Sequence, residues 1–262
     1  MQISQNLKSE EYQEIQKLLA TLPDKSLHLQ QVWNLMDQVW DEMGCDNENL
    51  DLEKIAAFYK HPVWLLNGFF IEQHHPSLQH RHAIADLILR HPIQQVLDFG
   101  GGFGTLAKII LDKSDSLNVD IYEPYPSDFA INECKAYKSI NFVNKLTKKY
   151  DCLVSTDVLE HVPDPLQLLE EMIEAVKIDG YLIIAHSFKP VIKCHLPSTF
   201  HFRYTFNLFA TSMGLKVLGK CQERHSTIYQ KIDAKPINWK VIRLMENLSK
   251  NIYWLALRHV RR

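Results

Sequence analysis

Residues 96–105 read VLDFGGGFGT. An apolar pair leads into Asp98, and four glycines then fall between positions 100 and 104. Ile93–Phe99 has the length and content of a buried strand. Thr105–Leu111 has the pattern of a helix. Between them the glycines let the backbone turn where a side chain would strain it. A strand, a glycine turn and a helix form a cradle that α/β folds use for nucleotide-like ligands. The details narrow the ligand. The dinucleotide pattern GxGxxG places its third small residue at position 105, which is Thr here. The Walker A pattern needs GK[ST] after its loop, and none follows. Asp98 would repel a diphosphate, whereas it can accept hydrogen bonds from turn backbone or from a cationic ligand.

Downstream of the turn, strands and helices alternate. Strands are expected at Leu117–Tyr122, Ile140–Val143, Tyr150–Ser155 and Tyr181–Ala185, and helices at Ser127–Tyr137 and Pro165–Ile178. Such alternation builds βαβ units and a parallel sheet. Gly214 and Gly219 bracket a strand at Leu215–Leu218, and Thr227–Lys231 is the last strand. Glu123 stands at the carboxyl end of the second strand, where a carboxylate can take both hydroxyls of a ribose. The fourth strand runs out at Ser155-Thr156. Asp164 then offers an N-cap, with Pro165 at the first helical position and Gln167 completing a capping-box-like pair.

Upstream, residues 1–90 read as helices. Leu29, Val32, Trp33, Met36, Val39, Trp40 and Met43 recur at steps of three and four, and Gly44 follows as a left-handed cap. Trp64, Phe69, Phe70, His74, His75, His80, Arg81 and His82 give this region apolar and cationic content. At the other end, Trp239–Val260 reads as a helix carrying Lys240, Arg243, Lys250 and Arg258, with Arg261 and Arg262 beyond it. Two readings of this helix stay open. It packs on the domain or on a second subunit, giving a possible homodimer, or it lies on an anionic membrane. The expected organisation is 1–90, 91–232 and 233–262.

The chain has 262 residues, 46% hydrophobic and 23% charged, which fits one large domain or one domain with an added piece. A net charge of −2 gives no long-range field for nucleic acid. Five scattered cysteines without a CxxC pair read as reduced, packed thiols in a cytoplasmic protein. No signal core and no apolar run of membrane-spanning length is present, so no membrane span is expected.

VLDFGGGFG, the IYEP of residues 121–124, the STDVLEHVPDP of residues 155–165 and the DGYLIIAHS of residues 179–187 together resemble the class I S-adenosylmethionine-dependent methyltransferases, in their small-molecule branch. The resemblance spans about residues 90–232. It implies an α/β, Rossmann-like fold: a seven-stranded, mostly parallel sheet flanked by helices, its last strand reversed, with residues 1–90 as a helical lid. The implied cofactor is S-adenosylmethionine. By position, backbone at Gly100, Gly101 and Gly102 lies against its methionine part, and Asp98 acts near its amino group. Glu123 holds the ribose hydroxyls, Pro124 or Tyr125 sits beside the adenine, Asn144 meets the adenine amine, and Ser155 and Thr156 close the methionine end.

The implied reaction is methyl transfer to a small organic acceptor, with oxygen favoured, and no nucleic acid partner. A hydroxyl acceptor calls for a base, most often histidine. Of His161, His186, His195 and His201, the expected bases are His186 and His195. Asp157, Glu160 and His161 form D-x-x-E-H, which resembles the E-x-x-E-H metal site of ubiquinone-type O-methyltransferases with Asp for the first Glu. That change shortens the reach by one methylene, and no metal is assigned; the three residues are expected to pack the helix start. Two rival classes remain: a non-catalytic relative that binds the cofactor as a partner or scaffold, and an NAD-dependent oxidoreductase.

Overall fold

The structure is a computed structural model that describes residues 2–4, 6–22, 27–221 and 226–260, the last three as main chain only. Arg261, Arg262 and the side chain of Arg258 therefore lie outside the description. Ahead of the first strand come α1 (Ser9–Ala20), α2 (Leu29–Glu42), α3 (Leu52–Tyr59), α4 (Val63–Ile71) and α5 (His75–Leu89). The stripe on α2 buries Val32, Leu35, Met36, Val39 and Trp40. Gly44, at φ 63°, ends that helix in the left-handed conformation its lack of Cβ permits. Asp51 caps α3 by accepting from the N–H groups of Glu53 and Lys54.

The alternating part follows as β1 (Gln95–Phe99), α6 (Thr105–Lys113), β2 (Asn118–Tyr122), α7 (Asp128–Cys134), β3 (Ile140–Val143), β4 (Tyr150–Thr156), α8 (Pro165–Ala175) and β5 (Val176–Ala185). The chain ends with α9 (Phe202–Ser212), β6 (Leu215–Lys220), β7 (Thr227–Lys231) and α10 (Trp239–Val260). The strands lie in the order β3-β2-β1-β4-β5-β7-β6 in one seven-stranded sheet. β1 with β2, β2 with β3, and β4 with β5 pair in parallel, while β7 runs antiparallel to both β5 and β6. The reversed last strand is thus Thr227–Lys231, as expected. Val96, Leu97, Asp98 and Phe99 are all buried, as befits a strand covered on both faces.

Beyond shifts of one to three residues at other element ends, three features differ from the sequence expectation. The helix after Asp164 stops at Ala175, not Ile178, and β5 begins at once with Val176 pairing to Tyr150. The cause lies on β7: Lys231 Nζ is buried and donates to the carbonyls of Ile173 and Val176 at 2.7 and 2.9 Å, satisfying the helix end. The stretch 189–204, to which the sequence assigns no element, contains a 3-10 turn at Pro197–Thr199 and the start of α9, which buries Phe202, Phe206 and Phe209. Gln167 gives its backbone N–H to Asp164, but its side chain turns to Glu170 instead of closing the capping box.

The chain divides into two compact units, Met1–Lys145 with Val191–Cys194, and Leu146–Pro190 with His195–Arg262. In the first, the core of α1, α2 and α4 continues into Phe103, Phe129, Ala130, Ile192 and Cys194. In the second, the aromatic face of α9 packs with Phe188. All five cysteines are free thiols, and four are buried. Among the described residues no helix is long and apolar enough to cross a membrane.

Candidate active site

In the first unit the glycine turn is built by backbone bonds. Gly100 N–H donates to the Tyr122 carbonyl at 2.7 Å, and Gly104 N–H to the Gly101 carbonyl at 2.8 Å. Gly100, Gly102 and Gly104 all have positive φ. Gly101 is required for another reason: a Cβ there would come within 2.7 Å of the Asp98 carboxyl and 2.9 Å of Ile121. Asp98 is therefore folded tightly under the turn. It is buried, and its Oδ2 has no hydrogen-bond partner. Burial pushes its pKa up to about 7, against the pull of the Arg81 charge and with a smaller push from Glu123.

Glu123 sits at the end of β2. One carboxylate oxygen accepts from Gly102 N–H at 3.1 Å and the other from Tyr125 N–H at 3.3 Å. Burial raises its pKa, and these two N–H groups oppose the rise. A carboxylate has about four acceptor positions, so two remain for a pair of hydroxyls. Beside it the Tyr125 ring lies parallel to Tyr59 of α3, centroids 6.0 Å apart, with Lys60 Nζ 5.5 Å from the Tyr125 centroid. Pro124 is exposed, and Asn144 is exposed just past the end of β3. Asp98, the glycines and Glu123 thus come together; among the described residues no hydrogen bond joins Asn144 to that group.

The second unit holds the other predicted residues. Ser155 is buried with its Oγ lacking a hydrogen-bond partner, and Thr156 is half-buried at the end of β4. Asp157 follows with φ 55°, its N–H bonded to the Ala185 carbonyl at 3.0 Å. The next turn brings Glu160 inside. Its Oε1 accepts from Ser187 N–H at 2.6 Å, and its main-chain carbonyl accepts from Leu196 N–H at 2.9 Å. One residue thereby pins both ends of the stretch after β5. Glu160 Oε2 has no partner, and burial, followed by the Asp157 charge, raises the pKa to about 8.

His195 folds back into this corner. Its Nδ1 lies 2.7 Å from the Lys189 carbonyl, and its ring meets His161 edge-on at 4.8 Å. A carbonyl only accepts, so Nδ1 carries the proton in this contact. Glu160, His161 and His195 offer donor atoms within 4.8 Å of one another. His186 is elsewhere, its ring packed on Phe188 and Phe206. His201 is buried against Ser249, and its pKa is lowered to about 4 by burial and then by Lys250. The approach of His195 to Glu160 and His161 was invisible in the sequence, because the residues are far apart along the chain and no spacing rule links them.

A family model described as a methyltransferase domain matches residues 78–233, more than half of the chain. The chain belongs to this family. It is a methyltransferase, and its cofactor is S-adenosylmethionine. The methyltransferase is 24% identical over 184 residues to the ubiquinone biosynthesis O-methyltransferase of Coxiella burnetii, covering 63% of this chain and 74% of the relative. An O-methyltransferase family protein from Burkholderia thailandensis has the same fold, with a TM-score of 0.57 at 17% identity over 78% of this chain and 71% of the other. Human N-acetylserotonin methyltransferase, solved with S-adenosylmethionine, gives 0.54 at 16% identity over 77% and 67%. The orphaned Asp98 Oδ2 and the side-chain-free turn above it suit the ammonium and backbone-like end of that cofactor.

Proposed function

We propose that this methyltransferase methylates a hydroxyl oxygen of a small organic acceptor, with His195 as the base. The supporting observation is the 2.7 Å contact between His195 Nδ1 and the Lys189 carbonyl, which puts the proton of a neutral ring on Nδ1 and makes Nε2 its basic nitrogen. The Coxiella relative, named for O-methylation, favours the same element. S-Adenosylmethionine, when bound, supplies a methyl group already activated on a sulfonium sulfur. The chain's own task is then mainly alignment, which is worth about 7–11 kcal/mol in favourable cases. Asp98 holds the amino group of the cofactor, Gly100–Gly102 lie against its methionine part, and Glu123 holds its ribose. Ser155 and Thr156 are the further cofactor contacts in this reading. His195 takes the hydroxyl proton as the oxygen is alkylated. The helices of residues 1–90 furnish the acceptor-selecting walls. The deciding experiment is transfer of a labelled methyl group to a panel of phenols, catechols, amines and activated carbon acids. Label found only on nitrogen or carbon would overturn the oxygen assignment.

A second reading uses the same corner differently. Glu160, His161 and His195 present one carboxylate and two imidazoles, a donor set suited to a zinc-like divalent ion. The buried, unpartnered Glu160 Oε2 fits such an ion. These residues would hold it, and it would lower the pKa of an acceptor hydroxyl. The readings exclude each other, since both need Nε2 of His195. Activity that survives exhaustive chelation assigns His195 as base; activity lost to chelator and restored by a divalent ion assigns it as ligand.

A further inference from the structure

Helix α10 has two faces that disagree about water. Its inner face is anchored within the second unit: Ile242 and Glu246 are buried, Arg243 pairs with Asp164, and Ser249 bonds His201. Its outer face carries Val241, Leu244, Leu248, Ile252 and Leu255 at steps of three and four, with Trp254 beside them. These side chains are 46–66% exposed. One apolar stripe on a helix whose other side is already packed is not spare core. Contiguous exposed patches of this kind mark interaction surfaces.

The charge pattern selects the partner. Residues 239–262 contain six basic side chains and one acidic one, in a chain that is net −2. The single acid, Glu246, is buried and already paired with Arg243 and Lys250. No carboxylate on this helix faces outward, while the remainder of the chain is net acidic. A second copy of α10 would bring like charges together. An anionic lipid surface would instead attract this segment and repel the rest, fixing one orientation. Apolar side chains with a tryptophan, in a segment rich in cations, are the composition of helices that lie in a bilayer interface.

We propose that the outer face of α10 seats the enzyme on an anionic membrane surface, lying on the bilayer without crossing it. The test uses the full chain and vesicles of phosphatidylcholine with and without phosphatidylserine, read by co-sedimentation. Binding is expected on phosphatidylserine vesicles at low salt, and about tenfold weaker without the anionic lipid or at high salt. The double variant Leu248→Glu, Ile252→Glu should lose binding by about tenfold or more. Its unchanged melting temperature and unchanged shift with S-adenosylhomocysteine would show an intact fold. Wild-type protein that ignores phosphatidylserine vesicles overturns the proposal. So does a dimer, seen by sedimentation equilibrium, that the same double variant splits, since the stripe would then belong to a second copy.

Discussion

The backbone N–H of Gly102 donates to the side chain of Glu123 at 3.1 Å, joining the glycine turn to the end of the neighbouring strand. With the Tyr125 N–H on its other oxygen, two hydrogen-bonding positions of that carboxylate are used and the others remain for ligand. Glu123→Ala should weaken S-adenosylhomocysteine binding roughly ten- to a hundredfold, the range for losing hydrogen bonds to a charged group. Titration calorimetry checks it. Unaltered affinity would mean that the ribose is held elsewhere.

Two adjacent glycines should respond differently to alanine. At Gly101 a methyl group would collide with the Asp98 carboxyl and Ile121, so Asp98 must move. At Gly102 a methyl group meets nothing within 4 Å, and only the left-handed backbone resists it, at about 1–2 kcal/mol. Gly101→Ala is expected to abolish measurable cofactor binding. Gly102→Ala should lower the melting temperature and, since this backbone lies against the cofactor, weaken binding, though less than Gly101→Ala does. The reverse order would show that Asp98 does not serve the cofactor.

Asp98 makes the unliganded protein sensitive to pH. Its folded pKa of about 7 lies above the usual 3.8. Between these values the folded state holds a proton that the unfolded state has lost, so stability falls as pH rises from about 4 to 7. The full cost above pH 7 is on the order of 4 kcal/mol. Asp98→Asn should therefore raise the melting temperature of the unliganded chain in alkaline buffer while weakening cofactor binding. For the wild type, affinity for S-adenosylhomocysteine should improve as pH rises through 7, since the ionised carboxylate pairs with an ammonium. A flat profile would remove that pairing.

His195→Gln should lower turnover about a hundredfold or more with little change in cofactor affinity. His186→Gln should do far less to turnover, because that ring packs between Phe188 and Phe206. Steady-state kinetics at saturating cofactor separates the two. Equal losses would return the base to the open set of histidines.

Lys231 offers a test of stability alone. Its ammonium is buried and feeds the carbonyls of Ile173 and Val176. Lys231→Met removes this donor from both, leaving Ile173 only the Val176 N–H, and should cost about 1–3 kcal/mol in urea denaturation. A loss under half of that would mean that water reaches the helix end.

The strands around the glycine turn were legible because β1, β2 and β4 are short apolar runs, the first two running out toward glycine or proline. Glu123 and Asp98 were legible because strand ends fix where side chains emerge. The end of α8 was not, since Lys177 and Ile178 look helical until Lys231, far along the chain, captures the carbonyls before them. Helix α9 was missed although Phe202, Phe206 and Phe209 keep helical steps. Prolines and histidines just ahead of it dominated the local reading. His195 was legible as a histidine after the fifth strand, and its partners were not. Glu160 and His161 reach it only through tertiary folding.

Gly68 stands on α4, where a Cβ would come within 2.5 Å of the Phe103 ring. Phe103 immediately precedes Gly104 of the cofactor turn and packs edge-on against Phe69. Chimeras that graft another family member's N-terminal helices onto this chain, as a route to a new acceptor, would thus import a steric constraint on the cofactor turn. Any donor segment lacking a glycine at the Gly68 position would need a smaller residue in place of Phe103 before its acceptor preference could be read.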